Sequence, residues 1–296
     1  MQVTFLGTSA MVPTKERNHF SFYVKYKNEG LLFDCGEGTQ RQLRIAGIRP
    51  SRITRIFISH YHGDHILGLP GLFQTLSASQ YEGKLRVYGP NGLKKIVKQI
   101  KELFVFENHL DMELYEINEG RFLETDEFYV ESFQLHHGVP CLGYRVVEKE
   151  RLRIDMKKAK AHGLRQGPLL GKLQNNIAVE SQGKKILPQD VTYKVRGKVL
   201  GFVADTSMTE NIKLIAKDAD LLISESTHTS KDKGKAIDFK HFTAKEAAEI
   251  AKKCNVKKLA LTHLSQRYKN AETVLNDAKD VFENTVVAED FMKIKL

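Results

Sequence analysis

The sequence predicts an α/β fold of two packed sheets with helices outside them, a four-layer αββα sandwich. Three observations predict it. The early half is rich in strand-like runs. Strands that follow one another without intervening helices pair antiparallel, so the helices that come later must cover the outer faces. The residues that look chemical stand at the ends of strands, where two packed sheets bring such ends to one edge.

Taken in order, strand-like runs occupy 2–6, 20–26, 31–34, 54–59, 85–88, 128–135, 143–147, 198–204, 220–224 and 257–262. Helix-like runs occupy 38–46, 65–80, 91–104, 209–217, 243–254 and 271–283. The amino terminus enters a strand directly with Gln2-Val-Thr-Phe-Leu, and no run of 18 apolar residues follows anywhere. The expectation is therefore a cytoplasmic protein with no membrane partner. Cys35, Cys141 and Cys254 are odd in number and far apart, which argues against a disulfide framework and fits a reducing compartment. No Cys-x-x-Cys pair occurs, so a metal here is held by nitrogen and oxygen, and Cys141 reads as packing.

The charge is +10, from 46 Lys and Arg against 36 Asp and Glu, and favours a polyanionic partner such as nucleic acid. One segment concentrates it. From Arg151 to Asn175, seven basic residues stand against the single acid Asp155, with a Gly167-Pro168 turn signal. On composition alone this is a solvated surface helix or loop. If it protrudes, it becomes an arm for phosphates.

The densest chemistry is Ser59-His-Tyr-His-Gly-Asp-His-Ile-Leu-Gly68. His60 and His62, two apart on extended backbone, point to one side, while Asp64 and His65 sit where the chain turns into the helix. His137 ends the run Phe133-Gln-Leu-His-His on the face of Phe133 and Leu135, and His136 points away. Asp205 ends an apolar strand, as does His263. A carboxylate has two oxygens, so Asp205 can bridge a first site of His60, His62 and His137 and a second of Asp64, His65 and His263. Imidazole with carboxylate suits two zinc ions first and admits manganese.

With these residues in view, the chain resembles the metallo-β-lactamase superfamily, whose His-x-His-x-Asp-His signature stands here as His60-Tyr-His-Gly-Asp-His65. Within it the chain is similar to the short-form ribonuclease Z family of tRNA 3′-processing endonucleases. That likeness covers nearly the whole chain: Phe5-Leu-Gly-Thr-Ser, Phe33-Asp-Cys-Gly-Glu-Gly-Thr-Gln-Arg-Gln, His137-Gly, Ala204-Asp-Thr and Thr262-His-Leu-Ser-Gln-Arg-Tyr. Pro13-Thr-Lys-Glu-Arg-Asn18 matches the family's Pro-x-Lys-x-Arg-Asn loop, and Gly167-Pro168-Leu-Leu-Gly looks like the Gly-Pro motif of its exosite arm. Where the family often writes His-Glu-Ala-Thr and His-Ser-Thr, this chain has Ser224-Glu225-Ser226-Thr227 and His241-Phe242-Thr243.

The resemblance implies a single domain over 1–296 with an inserted exosite arm at 150–195. It implies a zinc-dependent endoribonuclease that removes the 3′ trailer from precursor tRNA by two-metal water attack, leaving a 3′-hydroxyl on the tRNA and a 5′-phosphate on the trailer. Asp64, His241 and Glu225 are the expected catalytic residues: Asp64 acts on the water, and His241, oriented by Glu225, protonates the leaving oxygen. Lys15, Arg17, Asn18, Gly167, Pro168 and Arg267 are the expected tRNA contacts. A homodimer is implied as well. The competing readings are another binuclear-metal hydrolase of the same fold, on a phosphodiester, thioester or sulfate ester, and a metal-stabilised nucleic-acid-binding module.

Overall fold

Near-continuous burial along Gln2–Gly7, Ser21–Tyr26 and Glu29–Phe33 marks strands covered on both faces, in the computed structural model that describes residues 1–105 and 109–296. The chain divides into two compact units, one of residues 1–123, 130–146 and 199–296 and one of 124–129 and 147–198.

The chain forms two seven-stranded sheets, most of whose residues belong to the first unit. One runs in the order Lys293–Lys295, Gln2–Gly7, Ser21–Tyr26, Glu29–Phe33, Arg55–Phe57, Leu85–Gly89, Met112–Glu116. Its first four strands pair antiparallel and its last four parallel. The other runs Thr285–Val287, Leu259–Thr262, Leu221–Glu225, Val199–Val203, Cys141–Glu148, Phe128–Leu135, Gly120–Glu124, with the first four parallel. Aromatic rings fill the space between the sheets. Phe202 lies 5.4 Å from Phe20 and 5.1 Å from Phe22, and Tyr144 lies 5.7 Å from Phe57. Tyr144 can be fully buried because its hydroxyl donates to the Ile58 carbonyl.

Helices form the outer layers. Leu43, Leu69, Leu72, Phe73, Leu76, Leu93 and Val97 pack on the outer face of Leu32, Ile56, Ile58 and Val87. On the other sheet the buried helix residues include Ile212, Ile215, Ala247, Ala251 and Val274. The helix expected over 65–80 is two helices, Gly63–Ile66 and Leu69–Ala78. At their junction a Cβ on Gly68 would stand 2.1 Å from the Gly36 carbonyl oxygen, so only glycine lets the two backbones approach.

Several short elements escape the sequence reading, among them the strands Met112–Glu116, Gly120–Glu124, Thr285–Val287 and Lys293–Lys295 and the helix Lys233–Asp238. The row expected from Phe133 through Leu135 to His137 is also corrected. Phe128, Val130 and Ser132 form the buried row, Phe133 is half-buried, and burial resumes at Leu135.

The second unit contains the segment expected as an arm at 150–195, and takes in Glu124–Tyr129 as well. It is neither a bare loop nor a lone helix. Arg151–Ile154 pairs antiparallel with Thr192–Val195, and Val179–Ser181 with Lys184–Ile186. Ala159, Leu164, Leu170, Leu173, Val179, Ile186 and Val191 form a small core of its own. Asp155 caps the helix Met156–Ala161 by accepting from the amides of Lys157 and Lys158. Pro168 opens the helix Pro168–Gln174.

Candidate metal centre

Strand register sets the level at which each candidate ligand leaves its sheet. Phe33 pairs with Phe57, so Asp34 and Ile58-Ser59-His60 emerge side by side. In the other sheet Val203 pairs with Ser224 and Glu225 with Thr262, which brings Asp205, Glu225 and His263 to the same edge. His62 is the extended residue that precedes the helix Gly63–Ile66, and Asp64 and His65 are buried in its first turn. His137 follows Phe128–Leu135, while His136 is exposed and bonds to Ser207.

The two ligand sets named from the sequence come together in space. His62 Nδ1 lies 3.1 Å from His60 Nε2 and 3.3 Å from His137 Nε2, and Asp205 Oδ2 is 3.8 and 3.9 Å from those two Nε2 atoms. In the second set, His65 Nε2, His263 Nε2 and Asp64 Oδ2 are separated by 3.2, 3.2 and 3.4 Å. Asp205 Oδ2 is 3.6 Å from His65 Nε2, so it borders both sets. Metal–ligand bonds of about 2.0–2.2 Å in a tetrahedron put the ligand atoms about 3.3–3.6 Å apart. Asp64 Oδ1 and Asp205 Oδ1 are buried without a hydrogen bond, a state that a cation relieves. Spacing, donor type and orphaned oxygens all fit divalent metal.

Two buried carboxylates hold these rings from behind. Asp34 Oδ2 accepts from His65 Nδ1 at 2.8 Å and from the Ser59 hydroxyl at 2.7 Å, and that hydroxyl accepts from His60 Nδ1 at 2.9 Å. The Ser59 amide donates to Asp34 Oδ1. Glu225 does the same on the other side. It accepts from the Thr206 amide, from His241 Nδ1 at 2.9 Å and from the Thr227 hydroxyl, which in turn accepts from His263 Nδ1 at 2.9 Å. His137 Nδ1 donates to the Lys240 carbonyl. Each bond fixes a tautomer and leaves Nε2 of His60, His65, His137 and His263 facing the cluster. Asp34, Lys240 and His263 all adopt the left-handed backbone, with φ near 51°, 57° and 57°. Such strain costs on the order of 1–3 kcal/mol per residue and gathers at functional sites.

Charge follows the same plan. Burial holds His60 well below the ordinary imidazole range and lowers His137, the neutral state that a metal ligand needs. Burial works against the charge on Asp64, but His263 and His65 outweigh it and keep this carboxylate far below its usual range. Burial also opposes charge on His65, and Asp205 and Asp34 overcome it, holding its pKa well above the ordinary imidazole range. For His241, burial is outweighed by Glu225 and then Asp205, and the pKa is pushed up to about 9.

This geometry has relatives. A metallo-beta-lactamase superfamily model matches residues 14–143. A protein named Ribonuclease Z from Methanothermobacter thermautotrophicus is 43% identical across 100% of this chain and 97% of its own length. The chain belongs to the ribonuclease Z family. Another Ribonuclease Z, from Archaeoglobus fulgidus, is 39% identical over 100% of the chain and 97% of its own. The crystal structure of human tRNase Z, short form, superposes with a TM-score of 0.74 at 30% identity, covering 100% of this chain and 99% of that one. Ribonuclease Z membership places the chain among metal-dependent endoribonucleases of the metallo-β-lactamase fold.

The remaining residues expected from the ribonuclease Z likeness fall in several places. A cleft of about 410 Å³ is lined by His62, Asp64, His137, Asp205, His241 and His263, and Arg267 stands at it too. Lys15 is exposed. Arg17 and Asn18 face inward instead: Arg17 Nη1 donates to Thr8 Oγ1 and the Ala288 carbonyl, and Asn18 Nδ2 to the Glu37 carbonyl. Gly167 and Pro168 lie in the second unit, where Gly167 is exposed ahead of the helix Pro168–Gln174. The sequence reading missed Asp34, Ser59 and Thr227 as supports, and His228, which is buried in the cleft wall with no partner for Nδ1. Asp34 did carry a signal, an acid at the end of the strand-like run 31–34, much as Asp205 follows the run 198–204.

Proposed function

We propose that this chain removes the 3′ trailer from precursor tRNA with two zinc ions, leaving a 3′-hydroxyl on the tRNA and a 5′-phosphate on the trailer, and that it works in the cytoplasm as a homodimer. The observation that carries this reading is the pair of ligand sets joined at Asp205, open to a cleft whose wall holds His241 against Glu225. His60, His62 and His137 would hold one ion, Asp64, His65 and His263 the other, with Asp205 serving both. Bound there, the ions supply Lewis acidity to the scissile phosphate and lower the pKa of the attacking water.

The chain's own residues do the rest. Asp64 has one oxygen among the ligands and one without a hydrogen bond, so it orients the water or takes its proton. His241 is tied through Nδ1 to Glu225, which leaves Nε2 to protonate the departing 3′-oxygen. No 2′-hydroxyl is needed as nucleophile. Lys15 and Arg267 meet phosphates, whereas the inward bonds of Arg17 and Asn18 shape the loop that presents Lys15. The Gly167-Pro168 segment and the basic face of the second unit bind the tRNA body. A groove lined by Leu67, Pro70, Ile96, Ile100 and the exposed Leu103 supports a second copy as partner.

The test is to incubate the zinc-loaded protein with a 3′-extended tRNA transcript, with and without chelator, and to map both new ends to the nucleotide. A chelator-sensitive cut at the acceptor stem with a 3′-hydroxyl is expected. No cut with zinc or manganese, alongside hydrolysis of small esters, would turn the reading to another hydrolase of this fold. Sedimentation gives the oligomeric state.

A further inference from the structure

The first sheet has a second concave site at the end away from the metal centre. Glu29–Phe33 leads to Asp34 at one end, and at the other the turn from Lys27 to Glu29 borders a pocket of about 470 Å³. Five residues of strand put roughly 15 Å between the two ends. Register builds the floor. Thr4 pairs with Tyr23 on one side and Lys293 on the other, and Gln2 pairs with Lys25. Residues two apart share a face, so Gln2, Thr4, Tyr23, Lys25 and Lys293 all look the same way. The loop at Ala46–Arg52 adds Arg49 and Arg52 to the lining.

This pocket has an unusual charge balance. Its lining holds Lys25, Lys27, Arg49, Arg52 and Lys293 against the single acid Glu29. Glu29 is already engaged, accepting from Arg55 and Thr54. Among the described residues, Lys25, Arg49, Arg52 and Lys293 have no carboxylate within ion-pair distance. Like charges on one concave wall repel, and an anion placed between them removes that repulsion. A neutral donor is also present. Tyr23 is only 5% exposed, lines the pocket, and its hydroxyl makes no hydrogen bond among the described residues.

We propose that this pocket binds a phosphoryl group, through the Tyr23 hydroxyl and the Lys25, Arg49, Arg52 and Lys293 cations, at a distance from the metals. Arg forks and a hydroxyl are the donors that recognise phosphate oxygens. The phosphoryl group comes either from an RNA backbone far from the scissile bond or from a free polyphosphate. The metals are out of reach, so a phosphate held here is not cleaved.

The experiment is calorimetric titration of inorganic tripolyphosphate into the metal-loaded protein at low salt, for wild type, Tyr23→Phe and the double variant Arg49→Ala/Arg52→Ala. Loss of charged hydrogen bonds should weaken one class of site about tenfold or more in the double variant and less in Tyr23→Phe. Any binding at the metal centre stays as a separate class in all three proteins, and hydrolysis of bis(p-nitrophenyl) phosphate stays unchanged. If the double variant does not fold, Lys25→Glu, at an exposed strand position, replaces it. A parallel rise in KM for precursor tRNA assigns the phosphate to RNA. An unchanged KM with lost tripolyphosphate binding assigns it to a free polyphosphate. Equal tripolyphosphate affinity in all the proteins overturns the site, and because binding is read directly, that outcome is decisive whether or not precursor tRNA is the substrate.

Discussion

The carboxylate of Asp34 is fully buried and accepts hydrogen bonds from the Ser59 amide, the Ser59 hydroxyl and His65. Through Ser59 it also reaches His60, so one side chain orients a candidate ligand in each set. Asp34→Asn keeps the shape and removes the charge. It should lower metal affinity about 10–100-fold, as loss of a supporting carboxylate does, measured by competition with a chelator; unchanged affinity would mean that the rings are held by packing alone. His241 poses a sharper question, because its ring nitrogen also clusters with Asp205 and His263 at ligand spacing. If it is the acid, His241→Ala keeps its full metal content and loses about 10²–10⁴ in rate. Loss of metal in that variant would make it a ligand instead. His60 through His65 were legible because four candidate ligands within six positions are rare by chance. The supports were harder to read, since Asp34 and His65 are 31 positions apart and Glu225 and His241 are 16 apart, and a bond across folded space leaves no period in the sequence.

Among elements, the helix Ala244–Lys253 is the best defined at its start. Thr243 Oγ1 accepts from the Glu246 amide and Glu246 accepts from the Thr243 amide, a capping box, with Lys233 3.0 Å from the same carboxylate. Burial works to raise the Glu246 pKa, but the Thr243 amide and Lys233 outweigh it and hold it below 4.5. A carboxyl lowered on folding stabilises the fold fully above its unfolded value and loses that contribution as pH falls through the folded one. Thermal unfolding of Glu246→Gln should therefore lie below wild type at neutral pH, with the gap closing in acid below about 4.5. A gap that stays constant would mean that charge plays no part in the cap. This helix was legible as the helix-like run over 243–254. The edge strands Met112–Glu116 and Gly120–Glu124 were not, because their residues are exposed or half-buried and carry no alternation. The break at Gly68 is likewise set by a contact with Gly36, which no local propensity encodes.

For the whole molecule, the two-sheet architecture followed from strand order, whereas the second unit did not read as a folded body. Its core residues, such as Ala159, Leu164 and Leu173, are interleaved with lysines and arginines that dominate the composition. Deleting Arg151–Asn175 would remove part of that core, so neutralising charge is the cleaner intervention. Lys157, Lys158 and Lys160 are exposed on the helix Met156–Ala161. Their joint change to Gln should leave small-phosphodiester hydrolysis intact and flatten the salt dependence of precursor tRNA binding by about one unit of log–log slope for each phosphate that is no longer neutralised. An unchanged slope would take this face out of the interface.

The ligands run from His60 to His263, and neither set is complete within one stretch of chain: the first needs His137, and the second needs His263. On the ribosome, a nascent chain exposes the dense histidine cluster long before its partners exist. Until His263 has emerged, the second set lacks one of its three candidate ligands. A product truncated before His263 therefore carries the early histidine cluster without a complete second set.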